Sequence, residues 1–196
     1  MEINSGENPI VLFKNWLADA QKQEPNDPEA MALATATPDG HPSVRMVLLK
    51  GVDENGFLFF TNMESRKGGE LAKNPHAALC LHWKSLKRQV RIEGRVEMAP
   101  APLVDAYFKT RHVLSRLGAW ASRQSQALSN RRELEDRVAE LEKKYAAGDI
   151  PKPPYWGGYR VVPEKIEFWQ EGKGRLHDRF LFTRKDGGWD LVRLNP

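Results

Sequence analysis

Between Arg88 and Met98 apolar and polar residues alternate, with Val90, Ile92, Val96 and Met98 on one side and Gln89, Arg91, Glu93, Arg95 and Glu97 on the other. A period of two is the pattern of a half-buried β-strand, and no helix places those residues on common faces. One strand cannot bury its apolar face alone, so the chain must supply partners. Met31–Ala36 and Ser43–Lys50 flank Pro38-Asp39-Gly40-His41 and read as a hairpin, and Gly56–Asn62 and Ala77–Trp83 read as further strands. Beyond Pro151-Lys152-Pro153-Pro154 come Tyr159–Val162, Lys165–Gln170, His177–Arg184 and Trp189–Leu194. Pro163, Gly172-Lys173-Gly174 and Asp186-Gly187-Gly188 separate them. About eight short strands with short connections pair antiparallel, and closing the sheet hides its edges, which predicts a small β-barrel.

Helices interrupt this pattern. Asn8-Pro9 followed by Ile10, Phe13, Leu17 and Ala20 gives a cap, Pro at the first helical position and an apolar stripe to about Gln21. Ser65–Asn74 reads as a short helix capped by Ser65. Ala101–Ala147 is helical, with a capping box from Asn130 to Glu133 and a face of Leu134, Val138, Leu141 and Tyr145. The fold class is mainly β with helices (α+β), one unit over residues 1–196 with a helical insertion at about 101–147. Six Trp, eight Phe and four Tyr supply large apolar side chains, while a single cysteine, Cys80, excludes an internal disulfide framework. The apolar runs, such as Met46–Leu49 and Phe57–Phe60, are far below the roughly 20 residues that span a bilayer. With no secretory pattern after Met1, the expected compartment is cytoplasmic.

The chemistry is not that of the common motifs, because G-x-G-x-x-G, G-x-x-x-x-G-K-[ST] and G-x-S-x-G are all absent. His41, His76, His82, His112 and His177 fall at no metal-binding spacing, so no metal is expected. What remains is cations and hydroxyls beside turns. Ser65-Arg66-Lys67-Gly68-Gly69 opens a helix, where free N–H groups favour an anion; the same residues also suit a capped helix with two solvated cations. Arg45 and Lys50 bracket an apolar strand on opposite faces by parity. They serve one site only through a bulge, a strand end or two subunits. Arg175, His177 and Arg179 alternate onto one face, a cluster that repels itself unless an anion or carboxylate meets it. Ser115 to Ser125 mixes small, hydroxyl and cationic groups and reads as a contact surface. Lys+Arg exceed Asp+Glu by 30 to 26, but the cations alternate with acids, unlike the dense basic stripe of a nucleic-acid binder.

Seven ordered segments together carry a resemblance. They are Arg45–Lys50; Phe60-Thr61-Asn62 with Ser65-Arg66-Lys67; Arg88-Gln89-Val90; Gly118-Ala119-Trp120 with Gln124-Ser125; Trp156–Val161; Ile166–Gln170; and Arg175–Phe180. From about Pro9 to Pro196 the chain resembles the pyridoxamine 5′-phosphate oxidases. The resemblance implies an antiparallel FMN-binding split β-barrel, a homodimer with FMN at its interface, and oxidation of pyridoxamine or pyridoxine 5′-phosphate by O2. It implies cofactor contacts from Arg45, Met46, Val47, Leu48, Leu49 and Lys50, from Phe60, Thr61, Arg66 and Lys67, and from Gln89, Gln124, Ser125, Trp169 and Arg179. For the substrate it implies Lys50, Tyr107, Arg111, Ser115, Arg175, Leu176 and His177, with Arg175 and His177 as the catalytic pair. No membrane or nucleic-acid partner is implied. One departure is visible: His112-Val113-Leu114 stands where the family pattern has Pro, a basic and an acidic residue. The competing expectations are a phenazine-biosynthesis-type flavin oxidase, which has less need of these cations, and an FMN-binding protein without turnover.

Overall fold

The computed structural model describes residues 2, 3, 6–146 and 148–196. Met1, Asn4 and Ser5 of the opening segment and Ala147, where the expected helical stretch ends, lie outside them. Strands β1 (Ala30–Ala36), β2 (Pro42–Leu48), β3 (Gly51–Asp53), β4 (Gly56–Asn62), β5 (His76–Trp83), β6 (Arg88–Met98), β7 (Trp156–Gln170), β8 (Asp178–Lys185) and β9 (Gly188–Leu194) form one sheet. Every pairing is antiparallel. The order is β2-β1-β5-β6-β7-β4-β3, and β8 joins β7 and carries β9. A row of side chains in register crosses five of these strands on the inner face: Leu33, Leu79, Ile92, Ile166 and Phe182. All five are fully buried. Helix α1 (Pro9–Gln23) closes the inside; Asn8 Oδ1 caps it from Ile10 N at 2.9 Å. Its Phe13 meets Phe57 edge-on at 4.8 Å, and Trp16 meets Phe168 at 5.1 Å.

The strand read from strict alternation is β6, with Val90, Ile92 and Val96 buried. Met98 departs from that reading and is 56% exposed. β6 outruns β5, whose last pair is His76 with Arg95, so Met98 stands at the rim paired with Tyr159 of β7 on one side and with no β5 residue on the other. The second correction is at Pro163. Instead of separating two strands, it lies within the fifteen-residue β7. Register shifts between Glu93 and Gly94, where Gly94 faces Pro163 and Glu93 faces Lys165. Proline has no N–H to give, and a bulge is where a sheet tolerates it. There β7 also changes its other neighbour: β4 pairs with Trp156–Val161, and β8 with Lys165–Gln170. The three-residue β3 was too short to carry a pattern of its own.

Gly94 makes that bend possible, because a Cβ there would stand 2.0 Å from the Val162 carbonyl oxygen. Gly94→Ala should therefore lower stability by about 2–3 kcal/mol through forced backbone displacement. Chemical denaturation checks this, and a change below about 0.5 kcal/mol, the range of surface substitutions, would refute the steric account.

The sheet curls without closing. β2 returns against β4 but does not pair with it, so the expected barrel is split along that seam. Helix α2 (Arg66–Lys73) starts beside the seam, and α3 (Ala101–Thr110), α4 (Val113–Ala121) and α5 (Arg131–Lys144) follow β6. A second apolar cluster of Leu58, Ala99, Val104, Phe108 and Trp156 fastens α3 to the outer face of β4 and β7. α4 packs on α5, whose cap Asn130 accepts from Glu133 N at 3.0 Å. His112, at the departure from the family pattern, caps α4 through its ring Nδ1, which accepts from Leu114 N at 3.3 Å.

Candidate active site

A cavity of about 830 Å³ occupies the seam between β2, β4, the start of α2, the end of α3, and α4 with the loop that follows it. Its anionic-ligand end is built on α2. Ser65 caps the helix, and the next two residues are Arg66 and Lys67. Lys67 is buried, yet its Nζ donates only to neutral oxygens: Thr61 Oγ1 at 3.1 Å, Gln124 Oε1 at 3.1 Å and Ser65 Oγ at 3.3 Å. Burial lowers its pKa, and the charge of Arg45 lowers it further. An ammonium so placed, with no carboxylate partner among the described residues, is a seat for an anion. Arg45 and Arg66 flank it, both held by the buried Glu70. Burial alone would raise the Glu70 carboxyl, but hydrogen bonds from Ser43, Thr35 and Arg66 and the Arg66 charge pull it down to about 2.

The other end is aromatic and comes from different elements. Phe60 stacks on Tyr107 at 4.2 Å and on Trp156 at 5.3 Å, making a flat wall. The Arg111 guanidinium lies 5.0 Å from the Trp156 ring centre, and its buried Nη1 has no hydrogen-bond partner. Burial lowers its pKa, and Tyr107 partly opposes this. Lys50 Nζ stands 5.9 Å from the Tyr107 ring centre, and Ser115 of α4 lines the same cavity. The parity conflict between Arg45 and Lys50 is resolved by a strand end. β2 stops at Leu48, Leu49 turns into the core, and Lys50 turns back to the cavity.

Of the expected cofactor residues, Arg45, Met46, Val47, Leu48, Lys50, Phe60, Thr61, Arg66, Lys67, Gln124 and Ser125 line this one cavity, as do the expected substrate residues Tyr107, Arg111 and Ser115. Leu49 does not, being a core residue. Gln89, Trp169 and Arg179 form a row in register across β6, β7 and β8 on the outer face. His177 packs on Trp169 at 4.7 Å, and its Nδ1 accepts from Gly172 N at 3.2 Å. Arg179 donates to Glu167 at 2.9 Å, and Arg91 reaches the same carboxylate at 3.2 Å. Arg175 breaks the expected alternation, because Lys173–Arg175 is a single 3₁₀ turn and Arg175 has φ +66°. Leu176 beside it is 74% exposed. None of these second-group residues lines the seam cavity.

Sequence reading missed Glu70, which holds two of the cations. Its only signal was the spacing Arg66 to Glu70, four residues along a helix. Trp156, which opens one of the resembling segments, also belongs to the site, since it forms part of the aromatic wall and lines the cavity.

A curled antiparallel sheet split along one seam, with an anion seat and an aromatic wall there, defines the class of FMN-binding split barrels. The comparisons specify it further. Residues 17–145 match the family model for pyridoxamine 5′-phosphate oxidase. Residues 156–196 match that for the pyridoxine 5′-phosphate oxidase C-terminal dimerisation region. The chain belongs to the pyridoxamine 5′-phosphate oxidase family. It is 59% identical over 189 residues to a pyridoxine/pyridoxamine 5′-phosphate oxidase of Gluconobacter oxydans, covering 96% of this chain and 94% of that one. The identity to the protein of the same description from Rhodospirillum rubrum is 58% over 194 residues, 96% of each chain. Among solved structures, PhzG from Burkholderia lata 383, in complex with tetrahydrophenazine-1-carboxylic acid, superposes with a TM-score of 0.92. It is 34% identical, over 100% of this chain and 99% of that chain. An FMN-binding protein of Nostoc punctiforme, at 18% identity and a TM-score of 0.75 over the whole of both chains, shares the fold.

Proposed function

We infer that this protein oxidises pyridoxamine 5′-phosphate or pyridoxine 5′-phosphate to pyridoxal 5′-phosphate, with FMN as its resident cofactor, and releases hydrogen peroxide. The observation that carries the reading is a pair of cations in one cavity with no carboxylate partner among the described residues: the buried Lys67 ammonium, which donates only to neutral oxygens, and Arg111, whose buried Nη1 has no hydrogen-bond partner. Cofactor and substrate each bring a phosphate and a flat ring, and the cavity offers two cationic seats with an aromatic wall. FMN fits the residues present: Arg45, Arg66, Lys67, Thr61, Gln124 and Ser125 would hold its phosphate end by charge-assisted hydrogen bonds. When bound, it supplies the acceptor for a hydride from the substrate C4′ carbon and the route for those electrons to O2. Arg111, Ser115, Tyr107 and Lys50 hold the substrate phosphate and fix the C4′ carbon in place.

Arg175 and His177 belong to the same site through a second copy of the chain. The match to a dimerisation region covers them, and their own copy keeps them in the turn that leads from β7 into β8, outside the cavity lining. In the dimer, Gln89, Trp169 and Arg179 complete the flavin site, while Arg175 and His177 position the substrate over the ring. Gly172 N–H donates to His177 Nδ1, the tautomer in which Nε2 carries the ring proton and can donate.

The resemblance to PhzG supports a second reading, a flavin oxidase acting on a non-phosphorylated ring acid. Arg111 and Lys50 favour the phosphorylated substrate. The test is the absorbance of the FMN-loaded protein without oxygen, before and after pyridoxine 5′-phosphate and then air. Bleaching followed by recovery is expected. A bound flavin that the phosphorylated vitamer leaves unbleached would refute the substrate, and failure to bind FMN would refute the cofactor.

A further inference from the structure

The Glu70 carboxylate is 6% exposed, does not line the cavity and takes no part in the chemistry above. Its contacts nevertheless all lead to the cavity. Arg45 donates to the hydroxyls of Thr35 and Ser43, and each of those hydroxyls donates in turn to Glu70 Oε2. Arg45 Nη2 also reaches Oε2 directly at 3.3 Å, and Arg66 Nε donates to Oε1 at 2.8 Å. Both carboxylate oxygens are therefore committed, one to each arginine. The two arginines come from separate elements, β2 and α2, and both line the cavity beside Lys67.

Stability alone is a poor reason for this arrangement, since a buried ion pair does not in general hold a fold better than apolar packing of the same shape. Placement is a better one. Long cationic side chains lose rotamer freedom when they bind, and a guanidinium already fixed by other bonds loses less. The charges also balance suitably: Arg45, Arg66 and Lys67 against one carboxylate leave two net positive charges, the complement of a phosphomonoester dianion.

We propose that Glu70 is a positioning residue for the phosphate of the flavin cofactor, fixing Arg45 and Arg66 beside Lys67 without touching the cofactor. The proposal rests on FMN as the resident cofactor. Its sign is diagnostic. A carboxylate that merely sits near an anion weakens its binding, so its removal would tighten FMN. A carboxylate that orients the cations strengthens binding, so its removal loosens FMN.

The experiment titrates FMN and riboflavin, which lacks the phosphate, into the apoprotein by quenching of flavin fluorescence. Wild type, Glu70→Gln and Thr35→Val are compared; Thr35 is buried and lies outside the cavity lining. Glu70→Gln should weaken FMN about tenfold or more and leave riboflavin within about twofold. Thr35→Val, which removes one hydroxyl of the relay, should repeat the pattern at about threefold, and it carries the test if Glu70→Gln does not fold. Tighter FMN binding, unchanged FMN binding, or a parallel loss of both flavins would overturn the proposal. A wild-type protein that did not prefer FMN to riboflavin would overturn the cofactor reading beneath it.

Discussion

Lys67→Ala should weaken FMN binding about 100-fold while leaving the apoprotein at least as stable as wild type, an unusual combination for a buried residue. Two charge-assisted hydrogen bonds of about 1.5 kcal/mol each give that factor. In the free protein the ammonium is buried against three neutral oxygens, and burial lowers its pKa, so the charged form is held at a cost in desolvation. Removing it relieves that cost. The ligand-linked part of stability falls instead: a 100-fold loss of affinity removes about 2.7 kcal/mol of the stabilisation that saturating FMN confers. Thermal melts of apo and FMN-loaded protein separate the two terms. An unchanged apo Tm with a much smaller FMN-induced rise is expected, whereas an equal fall in both would make Lys67 part of the scaffold.

How much of this was legible in the sequence depends on the range over which each feature is determined. Val90, Ile92 and Val96 declare β6 because facing is a local property of a strand. Ser65 declares α2 for the same reason, and with it the place of Arg66 and Lys67. Pro163 misled because its meaning depends on Gly94, far away on β6: a proline opposite a glycine at a register shift continues a strand that it would otherwise end. The alternation of Arg175, His177 and Arg179 misled for a related reason. The turn that begins at Gly172 runs through Arg175, and alternation starts only at Asp178. Glu70 was invisible because its partners Thr35 and Ser43 lie on another element, and periodicity reports which face a residue occupies, not what it meets there. The resemblance supplied what spacing could not, the grouping of residues from β2, β4, α2 and α4 into one cavity.

The division of the candidate residues between the seam and the outer face leads to the other large effect. Arg175→Ala should lower kcat/KM about 100-fold and leave FMN affinity within about twofold, the reverse of Lys67→Ala. Arg175 is exposed, has no ion-pair partner among the described residues, and sits at φ +66° next to Gly174 at the same φ. A non-glycine residue held there is strained, and such strain persists where presenting a side chain matters. If each site takes Lys67 from one copy and Arg175 from the other, the two defects are separable by mixing. A dimer made of one Lys67→Ala chain and one Arg175→Ala chain has one site with both lesions and one with neither. Half the dimers in a random equal mixture are of this kind, so co-expression should restore about one quarter of wild-type activity from two nearly inactive parents. Were Lys67 and Arg175 of the same chain to serve one site, every site in the mixed dimer would carry a lesion and no activity would return. That absence of recovery would refute the shared site even if each single variant behaved as expected.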